Sequence, residues 1–180
     1  LESAFNNADL MNADLSLWNT ANVTNMQGTF KSIPWNPNIS GWNTGNVTDM
    51  SFMFYGNTAN ITDNYSSWDT SKVITLESFG NASNFNADIS GWNTISLTNL
   101  RSFMYGNTTF SGTLSSWNTS NVTTMVFNPF YQTFAYDDDL GGWDVSKVSI
   151  INSFFKRPGF STSNYNSLLV GWEASLQAAY

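Results

Sequence analysis

Trp117-Asn118-Thr119-Ser120-Asn121-Val122-Thr123-Thr124-Met125 is a unit that the rest of the chain repeats. Near-copies begin at Trp18, Trp42, Trp68, Trp92 and Trp143, so the six tryptophans follow one another at 24, 26, 24, 25 and 26 residues. Such a period is the length of one coil of a repeat array, too long for a helical turn or a strand alternation. Apolar residues recur at fixed distances from each tryptophan. Seven before it stand Met11, Trp35, Ile61, Phe85, Phe110 and Tyr136; three before it stand Leu15, Ile39, Tyr65, Ile89, Leu114 and Leu140. Five after it come Val23, Val47, Val73, Leu97, Val122 and Val148, and eight after it Met26, Met50, Leu76, Leu100, Met125 and Ile151. A further aromatic position holds Phe30, Phe54, Phe79, Phe103 and Phe155, and near Asn128-Pro129 it is replaced by Phe127 and Phe130. So few apolar positions cannot enclose a core within one coil, and each coil must be buried by its neighbours. The six tryptophans, and Trp35 with them, are therefore expected inside.

The columns predict a leucine-rich-repeat-like solenoid in a single domain: a partial coil over 1–17 with Phe5 as its remnant, six coils over 18–160 and a capping helix over 161–180. In each coil, Val-Thr-x-Met is β-branched and bounded by turn residues, which predicts a short parallel β-strand. Met50-Ser51-Phe52-Met53-Phe54 has the spacing of a helical or 3₁₀ turn. Stacked strands would bring Thr24, Thr48, Thr98 and Thr123 into one exposed row, the candidate ligand face. Asn-x-Asp-Ile-Ser-x-Trp reads as a turn whose short side chains bond nearby backbone. At the end, Ser161-Thr162-Ser163-Asn164 offers helix caps ahead of Tyr165, Leu168, Leu169, Trp172 and Leu176 at helical spacing. The start in mid-pattern at Leu1 reads as a piece excised from a longer protein.

Composition narrows the function classes. Apolar residues make up 41% and aromatics 16%, which excludes a disordered tail, whereas charged residues are only 11% against the roughly 25% usual in soluble domains. The surface must be wetted by amides and hydroxyls, as suits an extracellular, cell-surface or virion-surface protein. A net charge of -7 with six basic residues argues against nucleic acid and anionic membranes as partners. No apolar run approaches the roughly 18 residues of a membrane-spanning helix, so no membrane insertion is expected. Cysteine and histidine are absent, which removes disulfides, thiolate metal sites and the commonest general base.

Two kinds of candidate site remain. Asp137, Asp138, Asp139 and Asp144 form the one dense acidic cluster, with oxygen ligands that could hold calcium; without the alternating ligands and glycine of a calcium loop, the plainer reading is a solvated loop. A carboxylate pair for sugar cleavage could be drawn from Asp14, Asp63, Asp69 and Asp88, but Asn replaces Asp in equivalent positions, which favours a turn role. Asn22, Asn38, Asn46, Asn60, Asn64, Asn81, Asn107, Asn118 and Asn121 each head an Asn-x-Ser/Thr triplet and would be glycosylation acceptors in a secreting eukaryote. Catalytic, cofactor and firm metal assignments are none.

The string Phe-Asn-x-Asp-Ile-Ser-x-Trp-Asn-Thr-x-x-Val-Thr-x-Met-x-x-Met-Phe, over nearly the whole chain, resembles the roughly 25-residue surface-protein repeat related to BspA-like leucine-rich repeats and called DUF285. The resemblance implies a leucine-rich-repeat-like solenoid on large surface or secreted proteins, with adhesion or host contact as the usual inference and no catalytic residues. The expectation is a non-enzymatic recognition module for a protein or glycan, with multivalent weak contacts. The alternative is a structural component that forms a homo-oligomer, filament, sheath or virion surface through its ends.

Overall fold

The computed structural model describes residues 1–9, 13–151, 154 and 159–179; Met11 and Phe155, assigned above to core columns, lie outside them. The expected solenoid of parallel β-strands is not formed. Among the described residues there is one helix, α1 (Thr162–Gln177), and no sheet; pairing is confined to isolated parallel bridges such as Asn25 to Asp49, Asp49 to Thr75, Thr75 to Asn99 and Asn99 to Thr124. Local turns consume the backbone on both sides of each bridge. Val47 N–H donates to the Thr44 carbonyl just before it, and Met53 N–H to Met50 just after it.

The Met-x-x-Met segments are not helical either. N–H groups alternate between a carbonyl three residues back and a carbonyl in the following repeat: Thr29 to Met26 and Lys31 to Gly28, but Gly28 to Ser51, Phe30 to Met53 and Ser32 to Tyr55. Left-handed residues four apart make the alternation possible, as at Gly28 (φ 58°) and Ser32 (φ 57°), and at Ser78 (φ 51°) and Ala82 (φ 50°). An i/i+3 apolar spacing arises equally from such linked turns, which is why it mimicked a helix.

Successive repeats nonetheless bury one another. The apolar columns are enclosed in the interior repeats, with Ile61, Phe85, Phe110, Val47, Val122, Met26, Met50 and Met125 all at 0% exposure, while Val23, Val148 and Ile151 are half-buried. Phe5, Phe30, Phe54, Phe79, Phe103, Phe130 and Phe154 run down the core at ring separations of 5.4 to 6.3 Å. Phe154 thus occupies the column that the sequence reading gave to Phe155. Trp42, Trp68, Trp92, Trp117, Trp143 and Trp35 are buried as expected, but Trp18 is 45% exposed. It heads the column, stacked on Trp42 at 6.5 Å with no earlier indole above it. Between Trp42 and Trp68 the column is disturbed. Tyr65, the only aromatic in a position otherwise Leu or Ile, stacks on Trp68 at 4.5 Å, and the Trp68 indole N–H is left buried without an acceptor.

Polar ladders tie repeats together. Thr20, Thr44, Thr70, Thr94 and Thr119, each two residues after a register tryptophan, are buried and donate at 3.0 Å to Asn43, Asp69, Asn93, Asn118 and Asp144 carbonyls in the next repeat. Valine replaces threonine at the last such position, Val145, where a hydroxyl would have no following repeat to enter. There α1 takes over. Trp172 donates to Leu140 O at 3.0 Å as Trp143 does to Leu114 O, and it packs edge-on against Phe154 at 4.6 Å; Ser175 Oγ accepts the Val145 N–H. The helix therefore supplies the contacts of one further repeat through Leu168, Trp172 and Ser175. Leu169 and Leu176 point outward at 43% and 40% exposure.

Backbone contact between Gly141 and Gly171 sets how close α1 lies: a Cβ on Gly171 would strike the Gly141 carbonyl oxygen. Gly171→Ala is expected to push α1 off and cost about 1–3 kcal/mol. A lowered melting temperature together with faster amide exchange in 162–177 than in 26–30 checks this.

Candidate functional site

The acidic segment is built from four separately occupied carboxylates. Asp139 and Asp144 each accept the N–H two residues ahead, Gly141 at 2.8 Å and Ser146 at 2.9 Å, closing turns. Asp14, Asn64 and Asp88 close the same turn as Asp139 in other repeats, and Asn19, Asn43, Asp69, Asn93 and Asn118 that of Asp144. Repeat 117 lacks this residue, having Thr113 where the others have Asp or Asn. Asp138 supplies the missing acceptor from the following repeat, taking Leu114 N–H at 2.6 Å and Ser115 N–H at 2.7 Å. Asp137 accepts the Ser161 N–H at 2.7 Å and the Asn164 amide at 2.9 Å, which anchors the start of α1. Asp139 and Asp144 also accept the Ser167 and Ser175 hydroxyls. Asp137 and Asp139 remain exposed, as a solvated loop implies, while serving as caps, and among the described residues no group of three acidic side chains is placed to hold a metal ion.

These contacts shift titration. Bonding from the Ser161 backbone N–H, with Asn164 and the Ser161 side chain adding to it, holds Asp137 below the usual carboxylate range; the Ser146 hydroxyl and N–H do the same for Asp144, with Ser175 and Lys147 assisting. A depressed folded-state pKa gives stability that is present above the unfolded value and lost as pH falls through the folded one. The melting temperature is accordingly expected to be flat from pH 7 to 5 and to fall below about pH 4. Asp137→Asn and Asp144→Asn together should flatten that fall in a series of thermal melts.

Asp138 offers a sharper test of the cap arrangement. Asp138→Ala should cost about 1–2 kcal/mol by stranding two N–H groups. Thr113→Asp should restore most of that loss by returning the turn acceptor to its own repeat. Denaturant midpoints for the single and double variants measure both effects.

The threonine row is only partly what the sequence predicted. Thr24 and Thr123 are exposed, Thr48 and Thr98 are half-buried, and Ile74 interrupts them at 47% exposure. Their hydroxyls turn back along the stack: Thr48 Oγ1 donates to Thr24 O and Thr98 Oγ1 to Ile74 O, both at 3.2 Å, and Thr123 Oγ1 to Thr98 O at 3.4 Å. Three of the four donors are thus spent within the protein. Of the glycosylation candidates, Asn22, Asn38, Asn46, Asn60, Asn64 and Asn118 are exposed, while Asn81 and Asn121 are half-buried. Asn107 is fully enclosed, with its amide donating to Phe85 O at 2.8 Å, so the folded chain has no room for a sugar there.

Sequence reasoning missed a different feature of the surface. The first left-handed position of each turn segment holds Ser3, Gly28, Ser78 and Ser102, but also Phe52 (φ 56°) and Phe127 (φ 58°). A bulky side chain at positive φ is strained. Phe127 is only partly covered in return: it is 54% exposed, with Arg101 4.6 Å from its ring centre. Tyr105, also exposed, stacks on Tyr131 at 4.8 Å in the same two repeats. The signal was available as an aromatic in a Gly/Ser column.

A groove of about 410 Å³ separates α1 from the last repeat, lined by Trp143, Asp144, Ser146, Ser175 and Ala178 among others. Its one carboxylate, Asp144, is engaged in the cap described above. No described helix is long and apolar enough to cross a membrane.

The chain belongs to the family described as "Mycoplasma protein of unknown function, DUF285", which matches over residues 1–79 and 56–172. No curated protein and no solved structure matches it.

Proposed function

We propose that this chain is a non-enzymatic recognition module of a cell-surface or secreted protein, which contacts a protein or glycan through the lateral face of its repeats. The supporting observation is Phe127: an aromatic held at positive φ yet left in solvent, next to Arg101 and within the two repeats that carry the Tyr105–Tyr131 pair. Strain at a ring that stays more than half exposed is poorly offset by burial, and such outliers concentrate where a protein meets a ligand. Aromatic and arginine side chains also dominate binding hot spots. The acids serve the fold and the chain lacks histidine, which leaves little for acid–base chemistry to act through. The alternative, assembly of copies through their ends, has less support because α1 covers one of the two ends.

Screening the chain against arrays of glycans and of extracellular-matrix and host-surface proteins tests this reading. A reproducible ligand whose signal falls at least tenfold with Phe127→Ser is expected. Serine already stands at the matching positions 78 and 102, so that variant should keep its melting temperature. Silence on both arrays would remove the reading.

A further inference from the structure

The second aromatic at a left-handed position lies at a concavity. Ser3, Asn6, Gln27, Gly28, Lys31 and Phe52 line a shallow hollow of about 300 Å³, at the lower end of the size range of small-molecule sites. Its shape follows from the residues in one column. Ser3, Gly28 and Phe52 occupy the same position of three successive repeats, and all three are left-handed, at φ 54°, 58° and 56°. Gly28 in the middle contributes no side chain; a Cβ there would come 3.3 Å from Ser3 Oγ. The column therefore has a gap between a hydroxyl on one side and a phenyl ring on the other.

The polar groups around the hollow are open to a ligand. Many Asn, Ser and Thr side chains of this chain are engaged with backbone, as in the threonine ladder and the turn caps. Among the described residues, no hydrogen-bond partner is found for the Ser3 hydroxyl, the Asn6 amide or the Gln27 amide. Lys31 lies 5.2 Å from the Tyr55 ring centre, and the ion pair formed among the described residues is a different one, Arg101 with Glu77. The hollow thus offers one aromatic wall, two amides, a hydroxyl and an amine, all uncommitted to other polar groups.

We infer that this hollow binds a single neutral pyranose sugar, such as the terminal residue of a glycan. The assignment rests on the recognition reading above and names a site for it. A pyranose has an apolar C–H face that fits the Phe52 ring and a rim of hydroxyls that both donate and accept. Amides answer both roles, and the Lys31 ammonium donates. A flat apolar ligand would leave the amides and the amine desolvated, at a cost. An acidic sugar meets one amine within a chain whose net charge is -7, so long-range attraction is absent.

Saturation-transfer NMR with the methyl glycosides of glucose, galactose and mannose, and with N-acetylglucosamine, tests the site. Glucuronic acid serves as the charged comparison. At least one neutral sugar is expected to bind the unaltered chain with a millimolar Kd. Phe52→Ser, which removes the wall, and Gly28→Ser, which fills the gap, should each weaken it at least tenfold, while Phe52→Tyr should retain it. Serine already occupies this column at 3, 78 and 102, and unchanged melting temperatures confirm that all three variants fold. No transfer to the unaltered chain, transfer undiminished in both serine variants, or preference for glucuronic acid each overturns the assignment. A chain that binds on the arrays but shows any of these results keeps its recognition role and loses this site; a chain silent in both loses both.

Discussion

A threonine hydroxyl, sealed from water and bonded to a carbonyl of the next repeat, is the contact on which this fold depends. It makes each repeat incomplete by itself. Thr94 Oγ1 donates to Asn118 O at 3.0 Å, and without repeat 117 that hydroxyl would be stranded in an apolar setting at a cost of about 1–3 kcal/mol. Indole N–H groups act the other way, with Trp92 and Trp143 donating to the preceding repeat. The two ladders bind interior repeats from both sides, although at Trp68, whose indole finds no acceptor, the threonine ladder alone of the two spans the junction to the preceding repeat. Between them the phenylalanine and tryptophan columns supply apolar burial that no single repeat could enclose.

How much of this was legible can be judged from particular residues. The 24–26-residue spacing of tryptophans identified the repeat, and the columns around it named the core, because burial depends on where a residue falls in the period and hardly on backbone detail. The terminal helix was equally plain, since Ser161 and the Leu168–Trp172 spacing are local signals that nothing overrides. Strand and turn could not be separated. Val47-Thr48 carries the β-branched preference of a strand, yet the Thr44–Val47 turn and the Met50–Met53 turn leave little between them to pair. Ser32, Phe52 and Ala82 adopt positive φ, and no side-chain preference announces it. The candidate surface row shared that difficulty: it assumed extended backbone, and the hydroxyls of Thr48 and Thr98 turned out to bond along the stack.

The acidic residues show why charge could be so scarce. In 137–139, three adjacent aspartates face three different partners: the start of α1, the preceding repeat and their own turn. Reading them as a cluster groups residues that the backbone separates by direction. Asp138 is the clearest case, because its presence is explained by an absence elsewhere, at Thr113. A linear search for ligand spacing within one segment has no means of seeing a carboxylate that serves a neighbour about 25 residues away.

Valine at 145 has a consequence for changing the length of this protein. Every interior unit carries a threonine donor that needs a successor, whereas this one has valine in its place and leaves the successor's role to α1. Extra units spliced in ahead of Trp143 would inherit matching donors and acceptors at both junctions. Units appended behind Val145 would not. Growth by internal duplication is therefore open to this architecture, and extension at its carboxyl-terminal side is closed unless the terminating residues move with it.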